Sequence, residues 1–186
     1  MDNGASSYRR FRENGDTGGM AELVRTYRDG LILYLDTFVR DIGAAEELAE
    51  DVFVLLVVKK PRFKGKSSFK TWLYAIGRNV ALDHLRAARR RGETPLESCG
   101  ELTSDEISLE EAYIREERRI TIHRAMKTLS PDQKQILWLL YFERMTAAEA
   151  AVVMKRSVHA AETLAYRARQ ALKAKLLEEG FVYEDI

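Results

Sequence analysis

Between Met20 and Phe38 the apolar side chains Met20, Val24, Tyr27, Leu31, Tyr34 and Phe38 recur at three- and four-residue spacing, the repeat of one helix face. The spacing returns in Phe69, Leu73, Ile76 and Val80, and again in Val158, Ala161, Ala165, Ala168 and Leu172. A chain patterned in this way buries helix stripes against helix stripes. The apolar run 52–58 could form a buried strand, but no second strand-like run exists to pair with it. The expected fold class is all-α.

Punctuation divides the pattern. The Asp41-Ile42-Gly43 break separates a first helix from a second over about 44–58, whose early turns carry Glu46, Glu47, Glu50 and Asp51 where the helix dipole favours acids. Pro61 and Gly65 mark a loop, and a third helix runs from about Ser68 through the arginines at 86–91. Residues 92–114 contain Gly92, Pro95 and Gly100 and read as a linker that joins a helix over about 107–129. Ser130-Pro131-Asp132-Gln133 and Thr146-Ala147-Ala148-Glu149 are capping boxes; they start helices at 131–143 and 147–154, and Ser157 caps a long final helix. The expectation is two small helical domains, 20–91 and 115–179, joined by the linker, with a flexible segment at 1–19 and a tail at 180–186.

Charge follows these divisions. The formal net charge of +1 hides a net −5 over 20–58, +10 over 59–91, −7 over 92–114 and +5 over 115–179. Eleven Lys/Arg against Asp83 alone in 59–91 point to a polyanionic partner. Aromatic residues sit among these cations: Lys59, Lys60, Arg62, Lys64, Lys66 and Lys70 surround Phe63, Phe69, Trp72 and Tyr74. Cations follow a phosphate backbone, while aromatic faces offer unstacked bases a platform, so the loop 62–68 suits single-stranded or opened DNA. The next helix offers Arg78, Asn79, Arg86 and Arg89, spaced so that several can share a face along a groove. Phe69 and Leu73 lie on the apolar stripe and read as core, while Trp72 and Tyr74 fit core or base contact equally.

The second half reads as a helix–turn–helix: a short small-residue helix at 147–154, a turn at Lys155-Arg156-Ser157, and a long helix. Alanines 150, 151, 161 and 165 allow close helix approach. His159, Glu162, Thr163, Tyr166 and Arg167 face outward at the start of the last helix, where such motifs meet base edges.

The stretches AEELAEDVFVLLVV (45–58) and FKGKSSFKTWLYAIGRNVALDHLR (63–86) resemble the second conserved region of bacterial RNA polymerase sigma factors of the sigma-70 family, closest to the extracytoplasmic-function (ECF) group. The stretch from Arg124 to Leu172 resembles the fourth region, which carries the promoter-binding helix–turn–helix. The resemblance implies a factor that docks on core RNA polymerase and directs promoter-specific transcription initiation. It implies that Glu46, Glu47, Glu50, Asp51 and Phe53 face the polymerase clamp helices. Arg62, Phe63, Lys64, Lys66, Ser67, Ser68, Lys70, Trp72, Arg78, Asn79 and Arg86 would capture and melt the −10 element. Ser157, His159, Glu162, Thr163, Tyr166 and Arg167, on a helix at 158–177, would read the −35 element. The linker would pass near the RNA path, and at ~3.3 Å per residue it can span about 75 Å, enough for the ~68 Å of two DNA turns. An anti-sigma factor is an implied partner. The family usually has Gly where this chain has Arg144 and Lys155, and a basic recognition helix where this chain has Glu162; that carboxylate could accept from a cytosine amino group.

A stand-alone helix–turn–helix regulator is the alternative, but no heptad seam offers a dimer interface, and the basic aromatic loop would go unexplained. Enzyme chemistry is not expected: His84, His123 and His159 are scattered, Cys99 is a lone thiol in the linker, and no Gly-rich nucleotide motif is present. No metal or cofactor is expected. The apolar runs are too short to insert in a membrane and the first residues lack a signal-peptide core, so a cytoplasmic location is expected.

Overall fold

The computed structural model describes residues 3–92, 122 and 125–178. The acidic linker, most of the helix expected over 107–129, Cys99 and the tail lie outside these residues. The described part consists of α1 (Asn3–Asn14), α2 (Thr17–Val39), α3 (Ile42–Lys59), α4 (Phe69–Arg91), a helical turn at 125–128, α5 (Pro131–Leu137), a π-helical turn (Trp138–Phe142), α6 (Ala147–Met154) and α7 (Val158–Glu178). No strand occurs among the described residues, and 52–58 is the C-terminal part of α3.

Local chemistry sets most helix starts. Asp16, Asp41, Ser68, Ser130 and Thr146 each turn a side-chain oxygen back to accept from a first-turn N–H of the helix that follows. Both capping boxes form as their spacing predicts, with Gln133 and Glu149 returning a bond to the cap backbone. Ser157 Oγ accepts from Ala160 N at 3.2 Å. The break at 41–43 is tighter than expected: Arg40 closes α2 in the left-handed region and Asp41 already caps α3.

Two elements differ from expectation. Residues 3–14 form a packed helix where a flexible segment was expected. Tyr8 and Phe11 are buried there, and small residues let the backbones meet: a Cβ added at Gly19 would lie 2.5 Å from Ser7 O, and one at Gly4 2.6 Å from Phe69 Cδ1. The helix expected over 131–143 ends in a π-helical turn, in which Glu143 N donates to Trp138 O at 3.1 Å. The rings of Trp138 and Phe142 stack there at 4.2 Å.

The first half packs α2 against α1, α3 and α4, while α5 and α6 pack on α7. The halves also meet, with α6 on α4 and α5 on α2, so one buried cluster runs from Leu31, Leu35 and Leu73 into Ile136, Leu139 and Ala150.

Arg144 and Lys155, the two positions where the resemblance implies Gly, both adopt φ 53°. Lys155 sits in a helix-ending turn in which Arg156 N reaches Ala151 O at 2.9 Å, a geometry natural for Gly. A Cβ in the left-handed region is strained. Lys155→Gly is expected to stabilise the fold by about 0.5–1 kcal/mol, read as a higher urea midpoint at unchanged slope.

Candidate nucleic-acid interface

Between Lys60, the left-handed end of α3, and Ser68, the cap of α4, the chain belongs to no helix or strand. Gly65 turns it at φ +66°. Around that turn Arg62, Lys64 and Lys66 are exposed. Beneath it lies an aromatic cluster: Trp72 has ring centroids of Tyr8 and Phe63 at 5.3 Å and of Phe69 at 5.5 Å, and Phe63 lies 5.7 Å from Phe69. Phe69 and Tyr74 are core. Phe63 and Trp72 are half-buried and pack on one another and on the buried rings of Tyr8 and Phe69, leaving the cations as the outer surface of the loop.

The remaining residues expected at the −10 element divide. Arg86 is exposed and pairs with Asp83 at 2.7 Å, and Asn79 is half-buried. Ser68, Lys70 and Arg78 instead reach the second half. Ser68 Oγ and Thr71 Oγ1 hydrogen-bond each other at 2.7 Å and each lies 3.3 Å from Glu149 Oε1, so one hydroxyl donates to the carboxylate while the other donates to its neighbour. Lys70 Nζ lies 2.7 Å from Glu143 Oε2 and donates to Glu143 O at 2.8 Å. Arg78 Nε donates to Gln135 Oε1 at 3.4 Å. Ser67 is half-buried, its hydroxyl on Ser68 O.

Sequence reasoning placed none of Glu143, Glu149, Gln135 or Thr71 in a site. Glu149 was legible only as a capping residue, and its second contact spans 81 positions. The Glu149 carboxyl is held below its ordinary 4.5, first by the Thr146 backbone N–H, with burial opposing and the Thr146, Ser68 and Thr71 hydroxyls assisting. A lowered native value means a stabilisation present above 4.5 and lost as pH falls through the native value. The unfolding midpoint of Glu149→Gln is therefore expected to fall below wild type at neutral pH and to converge with it in acid, as a denaturation series across pH 2–7 would read.

On α7 the −35 candidates share one face. His159, Glu162, Tyr166 and Arg167 are exposed and Thr163 is half-buried, opposite buried Ala161, Ala165 and Ala168. Ser157 is exposed at the cap. The turn is tied to α5 by an ion pair between Arg156 and Asp132.

On α3, Glu46, Glu47, Glu50 and Asp51 are exposed. Phe53 departs from its expected place at this surface. It is 7% exposed, because with Leu48, Val52 and Leu56 it falls on the stripe facing the core. The apolar members of the outer face are Ile42, Val54, Val57 and Val58. Among the described residues no helix is long and apolar enough to cross a membrane.

Comparison with known proteins agrees with this arrangement. Residues 23–91 match the family described as Sigma-70 region 2, and 119–172 that described as Sigma-70, region 4. The RNA polymerase sigma-H factor of Pseudomonas aeruginosa is 30% identical over 172 residues, covering 88% of this chain and 89% of that protein. The ECF RNA polymerase sigma factor SigW of Bacillus subtilis is 24% identical over 172 residues, 88% of this chain and 92% of that one. In fold, the chain is similar to the sigma factor RpoE solved with the anti-sigma factor NepR from Bartonella quintana, at TM-score 0.68 and 21% identity over 84% of this chain and 95% of that one. It is also similar to CnrH, solved with the cytosolic domain of CnrY, at TM-score 0.64 and 22% identity over 95% and 96% of the two chains. With both regions matched and a relative aligned along most of its length, the chain belongs to the ECF group of the sigma-70 family, the factors that direct RNA polymerase to initiate transcription at specific promoters.

Proposed function

We propose that the loop 60–68 and α4 take up the opened −10 element, that α7 reads the −35 element from His159, Glu162, Thr163, Tyr166 and Arg167, and that the outer face of α3 docks on the polymerase clamp helices. The chain then works in the cytoplasm as a non-enzymatic initiation factor, and an anti-sigma factor of the class bound to RpoE in the Bartonella structure is its proposed inhibitor. The observation that carries the reading is the exposed trio Arg62, Lys64 and Lys66 around Gly65 on a non-helical loop above packed rings. Three cations on a turn match the spacing flexibility of a single strand better than the straight face of a duplex. On α3, four exposed acids beside exposed Val54, Val57 and Val58 offer a mixed surface suited to a protein partner. Ser68, Lys70 and Arg78 hold groups of the second half, so their use on DNA requires those contacts to be released.

The test combines purified chain with core RNA polymerase and measures complex formation, promoter-dependent transcripts and binding of single-stranded DNA. Lys64→Ala/Lys66→Ala is expected to weaken strand binding about tenfold at low salt and to flatten the log–log salt slope by about 1.4, at unchanged polymerase affinity. Binding to a palindromic duplex without polymerase would instead favour a stand-alone regulator.

A further inference from the structure

The loop 60–68 has no regular structure of its own, yet two consecutive carbonyls at its start are held by one helix. Tyr8 Oη donates to Pro61 O at 2.8 Å, and Arg12 Nε donates to Lys60 O at 3.2 Å. Both donors come from α1, four residues apart, so they rise from one face and reach neighbouring peptides. Lys60 Nζ lies over the Phe11 ring at 5.1 Å. The Tyr8 ring is also the inner wall of the cluster under the loop, 5.5 Å from Phe69 and 5.3 Å from Trp72.

A second set of contacts fixes α1 itself. Ser7 Oγ donates to Glu22 Oε2 at 2.6 Å, and Arg10 pairs with Glu22 at 2.8 Å and Asp16 at 3.2 Å. The Ser7 hydroxyl is the main reason the Glu22 carboxyl titrates below its ordinary value. One side of α1 is thus fastened to α2 and the other grips the loop. Burial pushes the Tyr8 phenol up to about 12, with the Arg12 charge opposing, so it remains a donor across the physiological range. Residues 3–14 lie outside the segment matched to region 2, which begins at residue 23.

We propose that α1 sets the conformation of the strand-binding loop, with Tyr8 and Arg12 as positioning residues for base selection at the −10 element. The inference rests on the reading of 60–68 as the strand-binding loop. Pro61 has no N–H to donate, so its carbonyl is its one backbone anchor, and a grip on it orients the path that leads to Arg62, Lys64 and Lys66.

The test uses the full chain assembled with core RNA polymerase and a single-stranded DNA pool of randomised sequence, the bound fraction being quantified and sequenced. Tyr8→Phe keeps the ring and removes the hydroxyl; Arg12→Met keeps the stem, and Arg12→Lys restores a donor. Tyr8→Phe is expected to lower strand affinity about fivefold, the scale of one hydrogen bond, and to flatten base preference. Arg12→Met should act in the same direction and Arg12→Lys recover part of the loss, with polymerase affinity within error of wild type. If Lys64→Ala/Lys66→Ala weakens the strand while Tyr8→Phe and Arg12→Met leave affinity and base preference unchanged, the role of α1 is overturned and the loop reading survives. If the double lysine variant has no effect, the loop reading fails and this inference with it. If the α1 variants lower polymerase affinity and strand affinity together, α1 merely supports the fold and the proposal is overturned.

Discussion

Glu143→Ala is expected to destabilise the folded chain by about 3 kcal/mol and to loosen the second half from α4. The carboxylate is 8% exposed and lies 2.7 Å from Lys70 Nζ, and it accepts from Trp138 Nε1 at 3.3 Å. Tyr74 shares the site: its phenol is raised far above its ordinary value by burial first, then by the Glu143 charge and hydrogen bond. Gly30 makes room for the group, since a Cβ there would lie 2.7 Å from Tyr74 Oη and 3.0 Å from Glu143 Oε1. Truncation leaves three donors short of an acceptor at once. Lys70 is a third exposed and keeps its bond to Glu143 O, which holds the loss to the lower end of the range for a broken buried pair. Glu143→Gln, which preserves shape and an acceptor oxygen, should lose about 1 kcal/mol. Each half carries one of the two tryptophans, Trp72 and Trp138. Calorimetry with fluorescence of each tryptophan alone should show coincident unfolding in the parent and separated transitions after Glu143→Ala. Coincident transitions at an unchanged midpoint would contradict this account. The same variant removes the Lys70 ion pair and leaves that ammonium its bond to Glu143 O, with more of its charge to offer a phosphate, so the polymerase-free chain should bind single-stranded DNA more tightly.

The second large effect lies where α2 crosses α4. Leu31 is fully buried, and a Cβ added at Gly77 would stand 2.9 Å from Leu31 Cδ1 and 3.6 Å from Leu35 Cδ2. Leu31→Ala should lose about 3–4 kcal/mol through lost transfer energy and an unfilled cavity. Gly77→Ala alone combines a helix-propensity gain of about 1 kcal/mol with a methyl forced against Leu31. In the Leu31→Ala background the clash disappears and the added methyl occupies vacated space, so there Gly77→Ala should be stabilising. A double-mutant cycle by urea denaturation reads the coupling, expected to exceed about 1 kcal/mol. Additivity would mean that the helices separate to admit a methyl at no cost.

Helix starts were legible because a cap is a local bond: Ser130 with Gln133, Thr146 with Glu149, Ser157 with Ala160. The exposed face of α7 was legible because alanines every three or four positions define its inner side. Helix α1 was not, since Tyr8 and Phe11 are too few to show a period and its other contacts, through Gly4, Ser7, Arg10, Arg12 and the facing Gly19, depend on what lies opposite. Phe53 was misread for a related reason: an acidic-apolar helix does not reveal which of its two apolar edges turns inward.

The sequence by itself determined the helices from α2 onward, their caps, the sign of charge on each segment and membership of the family, because these depend on residues within a few positions of one another or on motifs that are contiguous. Only the tertiary structure decided which of the side chains expected on DNA stay exposed and which are engaged within the fold. Arg62, Lys64 and Lys66 stay exposed, while Ser68, Lys70 and Arg78 are engaged by Glu149, Glu143 and Gln135. Those partners stand 57 to 81 positions away, and the Tyr8 anchor of the loop 53. Over such separations, pairing is set by how whole helices pack, and no local pattern encodes it.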